Sequence, residues 1–250
     1  MLLGMGISQD PTDHSIKLFQ TAYIDSLLKK HGLEDANPVS TPLDPNVKLD
    51  LDPNKPNNSE MQGELPERAS ASYATLIRSL MYLAIGTRPD IAYSVQRLAQ
   101  FTQNPKPIHW TALKRIFRYL KGTRTLGLTY GGSDEDLNDN ELNIYCDADW
   151  ASDADRKSVS GYVITLAGGA VAWSSKKQST VALSTAEAEY VAAMHCAKQV
   201  IWHRSLLKEV GIPIPSTSTI FSENQAAVSI AHHPEHHVQT KHINIAHHFL

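Results

Sequence analysis

Asp147, Glu187 and Glu223 lie far apart in the sequence, yet the residues around each predict that they meet. Leu142, Ile144 and Cys146 alternate with Asn143, Tyr145 and Asp147, the pattern of a strand that carries an acid to its own end. Ser184-Thr185-Ala186-Glu187 opens a long helical pattern and puts Glu187 in its first turn. Glu223 follows a short strand at 219–222. If the first and last strands are neighbours in one sheet, their acids open at one edge, and a helix packed on the sheet brings Glu187 to the same point. Carboxylates gathered in this way repel one another. Two hard divalent cations about 4 Å apart relieve that repulsion and clamp the attacking and leaving oxygens of a phosphodiester. Mg²⁺ suits such a site, with Mn²⁺ as a possible substitute. Each acid also has an ordinary reading. Asp147 can cap a turn, Glu187 completes a capping box, and Glu223 can be an exposed strand-end acid.

Two other groups invite chemistry. His232, His233, His236, His237, His242, His247 and His248 crowd one stretch, but Pro234 interrupts any helix that would align them as metal ligands. Cys146 and Cys196 sit in apolar patterns and form neither a disulfide framework nor a close-spaced ligand pair, which fits a reducing setting. Lys114, Arg118 and Lys121 fall at i, i+4 and i+7 of a helical pattern. Together with Lys176 and Lys177 they could track a phosphate backbone, or simply be a solvated charged face.

The elements that position these residues follow from periodicity and punctuation. A hairpin is expected over 2–20, turning at Asp10-Pro11-Thr12-Asp13, then a helix capped by Thr21 and closed near Gly32. The stretch 38–66, crowded with Pro, Asn and Asp, reads as a linker or extended strap. Helices are predicted over 72–85, from Arg88-Pro89-Asp90 to about 101, and over 108–121. After Gly131-Gly132 and an acidic loop to Asn140, strands are expected at 142–147, 162–166 and 171–174, the last two joined through Gly168-Gly169. A long helix over 185–210, a strand at 219–222 and a short helix over 224–231 complete the order. The fold class is therefore α/β: a three-strand antiparallel meander that continues in parallel, preceded by a mainly helical segment.

With 42% hydrophobic and 20% charged residues among 250, the composition is that of an ordinary globular chain. A net charge of −3 means that any nucleic-acid contact must come from a local basic face. No apolar run is long enough to span a bilayer, and Met1-Leu2-Leu3 lacks the features of a signal peptide. It reads instead as a strand, which suggests a fragment.

Several long motifs then carry a resemblance. Ala22-Tyr23-Ile24 through Leu28-Lys29-Lys30-His31-Gly32, Pro38-Val39-Ser40-Thr41-Pro42-Leu43, Arg88-Pro89-Asp90-Ile91 and Arg118-Tyr119-Leu120-Lys121-Gly122-Thr123 resemble the end of a copia-type retrotransposon reverse transcriptase. Asp147-Ala148-Asp149-Trp150-Ala151, Trp173-Ser174-Ser175-Lys176-Lys177-Gln178, Ser184-Thr185-Ala186-Glu187-Ala188-Glu189-Tyr190 and Asn224-Gln225-Ala226-Ala227 resemble that family's ribonuclease H domain. Thr240-Lys241-His242-Ile243 does as well.

The resemblance implies four regions: 1–43, the reverse-transcriptase hairpin and helix; 44–67, a linker; 68–132, a helical thumb or connection segment; and 140–250, a ribonuclease H-like domain. It implies hydrolysis of the RNA strand of RNA–DNA hybrids with two Mg²⁺ ions held by Asp147, Glu187 and Glu223, in an intracellular setting (a cytoplasmic virus-like particle or the nucleus). The partners implied are the hybrid and the rest of the Pol polyprotein, with no membrane and no small-molecule cofactor. The family pattern has Asp where Glu223 stands, and it continues past Leu250 into a fifth strand and a helix carrying a fourth acid. An impaired enzyme is therefore expected, or a nucleic-acid-binding remnant without chemistry. Asp149 and Glu189 are read as outer or surface acids. The Tyr-Asp-Asp polymerase site of the family lies upstream of Met1, so polymerase activity is not expected of this stretch. The order Asp, then Glu on a long helix, separates the pattern from integrase-type relatives of the fold.

Overall fold

The computed structural model describes residues 3–49, 63–132, 141–151 and 155–232. Most of the histidine-rich stretch, the acidic loop and the middle of the strap lie outside the described residues. The chain divides into two compact units, Met1–Gln9 with Ile16–Leu128, and Asp10–Ser15 with Thr129–Leu250.

In the first unit β1 (Gly6–Gln9) and β2 (Ile16–Phe19) pair antiparallel from Gly6–Phe19 to Gln9–Ile16. Helix α1 (Thr21–Lys30) buries Ile24, Leu27 and Leu28. Its N-cap is Gln20, without a side-chain cap: the Gln20 Oε1 accepts from the Thr87 hydroxyl at 2.9 Å, and the Thr21 hydroxyl donates to the Arg124 carbonyl at 3.0 Å. Helix α2 (Glu67–Gly86) begins before the predicted 72 and buries the expected stripe of Tyr73, Leu76, Ile77, Leu80 and Leu83. A 3-10 turn at Pro89–Ile91 leads into α3 (Ala92–Ala99), and α4 (Pro107–Gly122) follows. These four helices share one core.

The strap enters that core. Leu49, placed by the sequence reading in a linker, is 2% exposed, and its carbonyl meets His109 Nε2 at 3.1 Å. One strand was not anticipated: β3 (Gly127–Tyr130) joins β1 and β2 in the order β1-β2-β3. Only glycine fits at 127, where a Cβ would run into the Leu18 carbonyl.

The second unit is the expected meander. Strands β4 (Asn143–Asp149), β5 (Val159–Leu166) and β6 (Gly169–Lys177) pair antiparallel, and β7 (Ile220–Phe221) lies parallel to β4, giving the order β6-β5-β4-β7. The β5–β6 turn uses Ala167 and Gly168, both at positive φ, one residue earlier than the glycine pair suggested. Helix α5 (Thr185–Val210) starts at a Ser184 cap and stops at Gly211, whose φ of +84° closes it. Cys196 and Val200 of α5 pack on Leu142, Ile144, Cys146 and Ile164 of the sheet region. Helix α6 (Gln225–His232) is capped by Asn224, whose side-chain oxygen accepts from the Ala226 and Ala227 N–H groups at 3.0 Å. The architecture is α/β with mixed sheets. No described helix is long and apolar enough to cross a membrane.

Candidate acidic centre

The parallel β4–β7 pairing carries the site. Ile144 pairs with Ile220 and Tyr145 with Phe221, so Asp147 and Glu223 each lie two residues farther along neighbouring chain paths. Asp147, toward the end of the β4 alternation, is exposed, as is Glu223.

The acid that the helix contributes is Glu189. It is 8% exposed and accepts from the Ala148 backbone N–H, beyond the last β7 pair. Burial, then the adjacent Asp147 carboxylate and the hydrogen bond the two side chains share, push the Glu189 carboxyl up to about 7. The Ala148 N–H pulls the other way, and Glu223 adds a smaller push upward. Glu189 Oε2 is buried without a hydrogen-bond partner.

Glu187, predicted to join this group, serves the helix end. Its N–H donates to Ser184 Oγ at 3.2 Å, and its Oε2 accepts from the Leu183 N–H at 2.7 Å. Two residues along a helix rotate a side chain by about 200°, so Glu187 and Glu189 leave α5 on nearly opposite sides. The sequence held the signal that separates them. Val200, Cys196 and Ala193 pack on the sheet core, and stepping back along that stripe by helical spacing reaches Glu189, not Glu187.

Asp147 is paired with Gly161 across β5, and Gly161 with Ser175 across β6, in one row of the sheet. Among the described residues no three His, Cys, Asp or Glu side chains converge as a ready-made set of metal ligands. The acids are an electrostatic group rather than a preformed cage. A divalent cation nevertheless fits their chemistry: Glu189 Oε2 is buried without a partner, and Asp147 and Glu223 both raise the Glu189 carboxyl by repulsion.

The two cysteines are buried and unbridged. Burial first, then Glu189 and Asp147, push the Cys146 thiol up to about 11, so it is an inert neighbour of the acids rather than a nucleophile.

The basic residues do not form one stripe. Arg118 Nε donates to the Asn37 carbonyl at 2.7 Å, and its neighbour Arg115 holds the Thr41 carbonyl and hydroxyl and lies 3.6 Å from Asp44. Both guanidinium groups thus hold the strap on α4. Lys114 is exposed with its ammonium 5.8 Å from the Trp110 ring centroid, and Lys121 is half-buried. Lys176 is exposed, whereas Lys177 pairs with Asp155 at 2.9 Å. The α4 cations and the β6 cations belong to different units.

No family model matches the chain, and no solved structure matches it. Curated relatives do. The chain is 40% identical over 250 residues, 100% of its length, to the retrovirus-related Pol polyprotein from transposon TNT 1-94 of Nicotiana tabacum, and covers 18% of that protein. It is 36% identical over 98% of its length to the retrovirus-related Pol polyprotein from transposon RE2 of Arabidopsis thaliana, and covers 16% of it. An uncharacterized mitochondrial protein of Arabidopsis thaliana is 34% identical over 80% of the chain, and 76% of that protein is covered. The chain thus spans less than a fifth of the length of the two Pol polyproteins. The chain is thus similar along its whole length to a segment of retrovirus-related Pol polyproteins from transposons.

Proposed function

We propose that the second unit is a ribonuclease H-like hydrolase of the RNA strand in RNA–DNA hybrids, with Asp147, Glu189 and Glu223 as its metal-binding acids. The observation that carries this reading is the Glu189 carboxyl, buried at Asp147 with one oxygen unpartnered. A buried polar group left in that condition costs stability, and such groups cluster at functional sites. The α/β meander with a parallel fourth strand, the motifs that resemble copia-type ribonuclease H and the similarity to a segment of Pol polyproteins support the same reading.

Bound at these acids, two Mg²⁺ ions, or Mn²⁺ in their place, supply Lewis-acid activation of a water and neutralise charge on the phosphodiester. The chain's own part is positional. Strand β4 brings Asp147 to the sheet end, β7 brings Glu223 beside it, and α5 delivers Glu189 to both. The Ala148 N–H orients the Glu189 carboxylate. The rest of the Pol polyprotein would supply the polymerase that makes the hybrid.

The test is cleavage of a labelled RNA–DNA hybrid, with single-stranded RNA and duplex DNA as controls, in Mg²⁺ and in Mn²⁺. Cleavage of the RNA strand in the hybrid alone is expected. Asp147→Asn and Glu189→Gln should each lower it by about 100-fold or more, the scale on which removal of a centrally placed charged group acts in catalysis. A homogeneous protein that leaves the hybrid intact, or a Glu189→Gln variant as active as the parent, overturns the reading. Hybrid binding without turnover would assign the chain instead to nucleic-acid binding alone.

A further inference from the structure

Beyond the three acids, Gln178 is buried to 2% exposure just after β6 and bridges three parts of the second unit. Its backbone N–H donates to the Ser158 carbonyl at 2.8 Å. Its side-chain Nε2 donates to Ser160 Oγ on β5 and to the Ala188 carbonyl in the first turns of α5, both at 2.9 Å. Ser160 is the register partner of Ala148, whose N–H holds Glu189, and Ala188 immediately precedes Glu189 in the chain. One carboxamide therefore ties the backbone that carries Glu189 to the strand that flanks Asp147. A helix carbonyl so near the N-terminus would ordinarily be bonded only within the helix. The additional donor from Gln178 fixes both the rotation and the height of α5 on the sheet.

We propose that Gln178 is a positioning residue for the acidic centre, setting where Glu189 stands relative to Asp147 by holding the Ala188 carbonyl to Ser160. This rests on the reading of the acids as a divalent-metal site. Gln178 touches no acid itself. Its effect passes through the placement of the α5 backbone, as outer partners of metal ligands act. The side chain donates both bonds from the same nitrogen, so a residue of similar length without an N–H loses both while keeping most of the packing.

The test uses the full 250-residue chain with Gln178→Met and Gln178→Asn, the latter keeping the amide but drawing it back by one methylene. Mn²⁺ affinity is read by titration calorimetry and Mg²⁺ half-saturation by hybrid cleavage. Thermal unfolding without divalent cation confirms that each variant is folded. The expected result for both variants is a loss of about tenfold in Mn²⁺ affinity with a parallel rise in the Mg²⁺ requirement, the range in which outer-partner substitutions act on metal binding. The turnover number at saturating Mg²⁺ should fall far less, because excess Mg²⁺ offsets a weakened affinity. Unchanged Mn²⁺ affinity in a folded Gln178→Met or Gln178→Asn protein overturns the assignment. If the parent binds Mn²⁺ but cleaves no hybrid, the hydrolase reading fails while Gln178 is still judged on affinity. If the parent binds no Mn²⁺, both fall.

Discussion

Glu187 and Glu189 show how two like residues, two positions apart, come to separate roles. The Glu187 carboxylate accepts the Leu183 N–H, while its backbone N–H donates to Ser184 Oγ; truncating the side chain leaves the Leu183 N–H without that acceptor. Glu187→Ala should cost about 1 kcal/mol by urea unfolding and leave Mn²⁺ affinity intact. Glu189 behaves oppositely. Its carboxyl titrates near 7 in the folded protein against an ordinary value of 4.5. Between those values the unfolded chain binds fewer protons than the folded one, so stability in metal-free solution should decline as pH rises through that window and level off above 7. Glu189→Gln removes this titration. The variant should melt above the parent at pH 8 without metal and lose the advantage at pH 4, as scanning calorimetry would register. A parent whose melting temperature rises steadily from pH 5 to 8 would contradict the placement of Glu189 beside Asp147.

At the scale of elements, the long-range frame was legible in the sequence because period and punctuation agreed. Helix α5 begins and ends where the Ser184 cap and Gly211 say it should, and β4 keeps its alternation to Asp147. Two kinds of feature escaped. Strand β3 is four residues long, too short for a period to show, and its pairing is imposed by β2 rather than by its own composition. The basic face of α4 was ambiguous because spacing along a helix does not say what stands opposite it: for Arg118 and Arg115 that is the strap. Arg88 is the strongest case of a charge consumed by structure. It is 1% exposed, its guanidinium grips both Asp90 oxygens and the Thr123 carbonyl and hydroxyl, and Tyr119 donates to Asp90 at 2.8 Å. Arg88→Lys cannot reproduce this fork. It should cost about 2 kcal/mol in urea unfolding, the scale for losing charge-assisted hydrogen bonds of a buried guanidinium. A loss below about 1 kcal/mol would mean that a lysine can be accommodated there.

At the scale of the whole chain, one hydrophobic cluster gathers α1 to α4 and another gathers the β4–β5 sheet with α5, and the acidic centre belongs wholly to the second. Because each unit has its own core, a perturbation confined to one should be read in that unit's unfolding. Leu113 is fully buried in the first cluster, so Leu113→Ala opens a cavity there and should cost about 3 kcal/mol. If the acids hold divalent cation as proposed, it acts on the other core. A ligand at 100 times its dissociation constant stabilises the state that binds it by about 2.7 kcal/mol, and at pH 8 Mg²⁺ also relieves the repulsion around Glu189. Calorimetry of the full chain should therefore resolve two components, one lowered by Leu113→Ala and indifferent to Mg²⁺, the other raised by Mg²⁺ and indifferent to Leu113→Ala. Glu189→Gln should abolish the Mg²⁺ response of the second component without moving the first. A single transition that answers to both perturbations would instead show that the two cores unfold as one cooperative body, and the metal-dependent gain would then be shared by α1 to α4 as well.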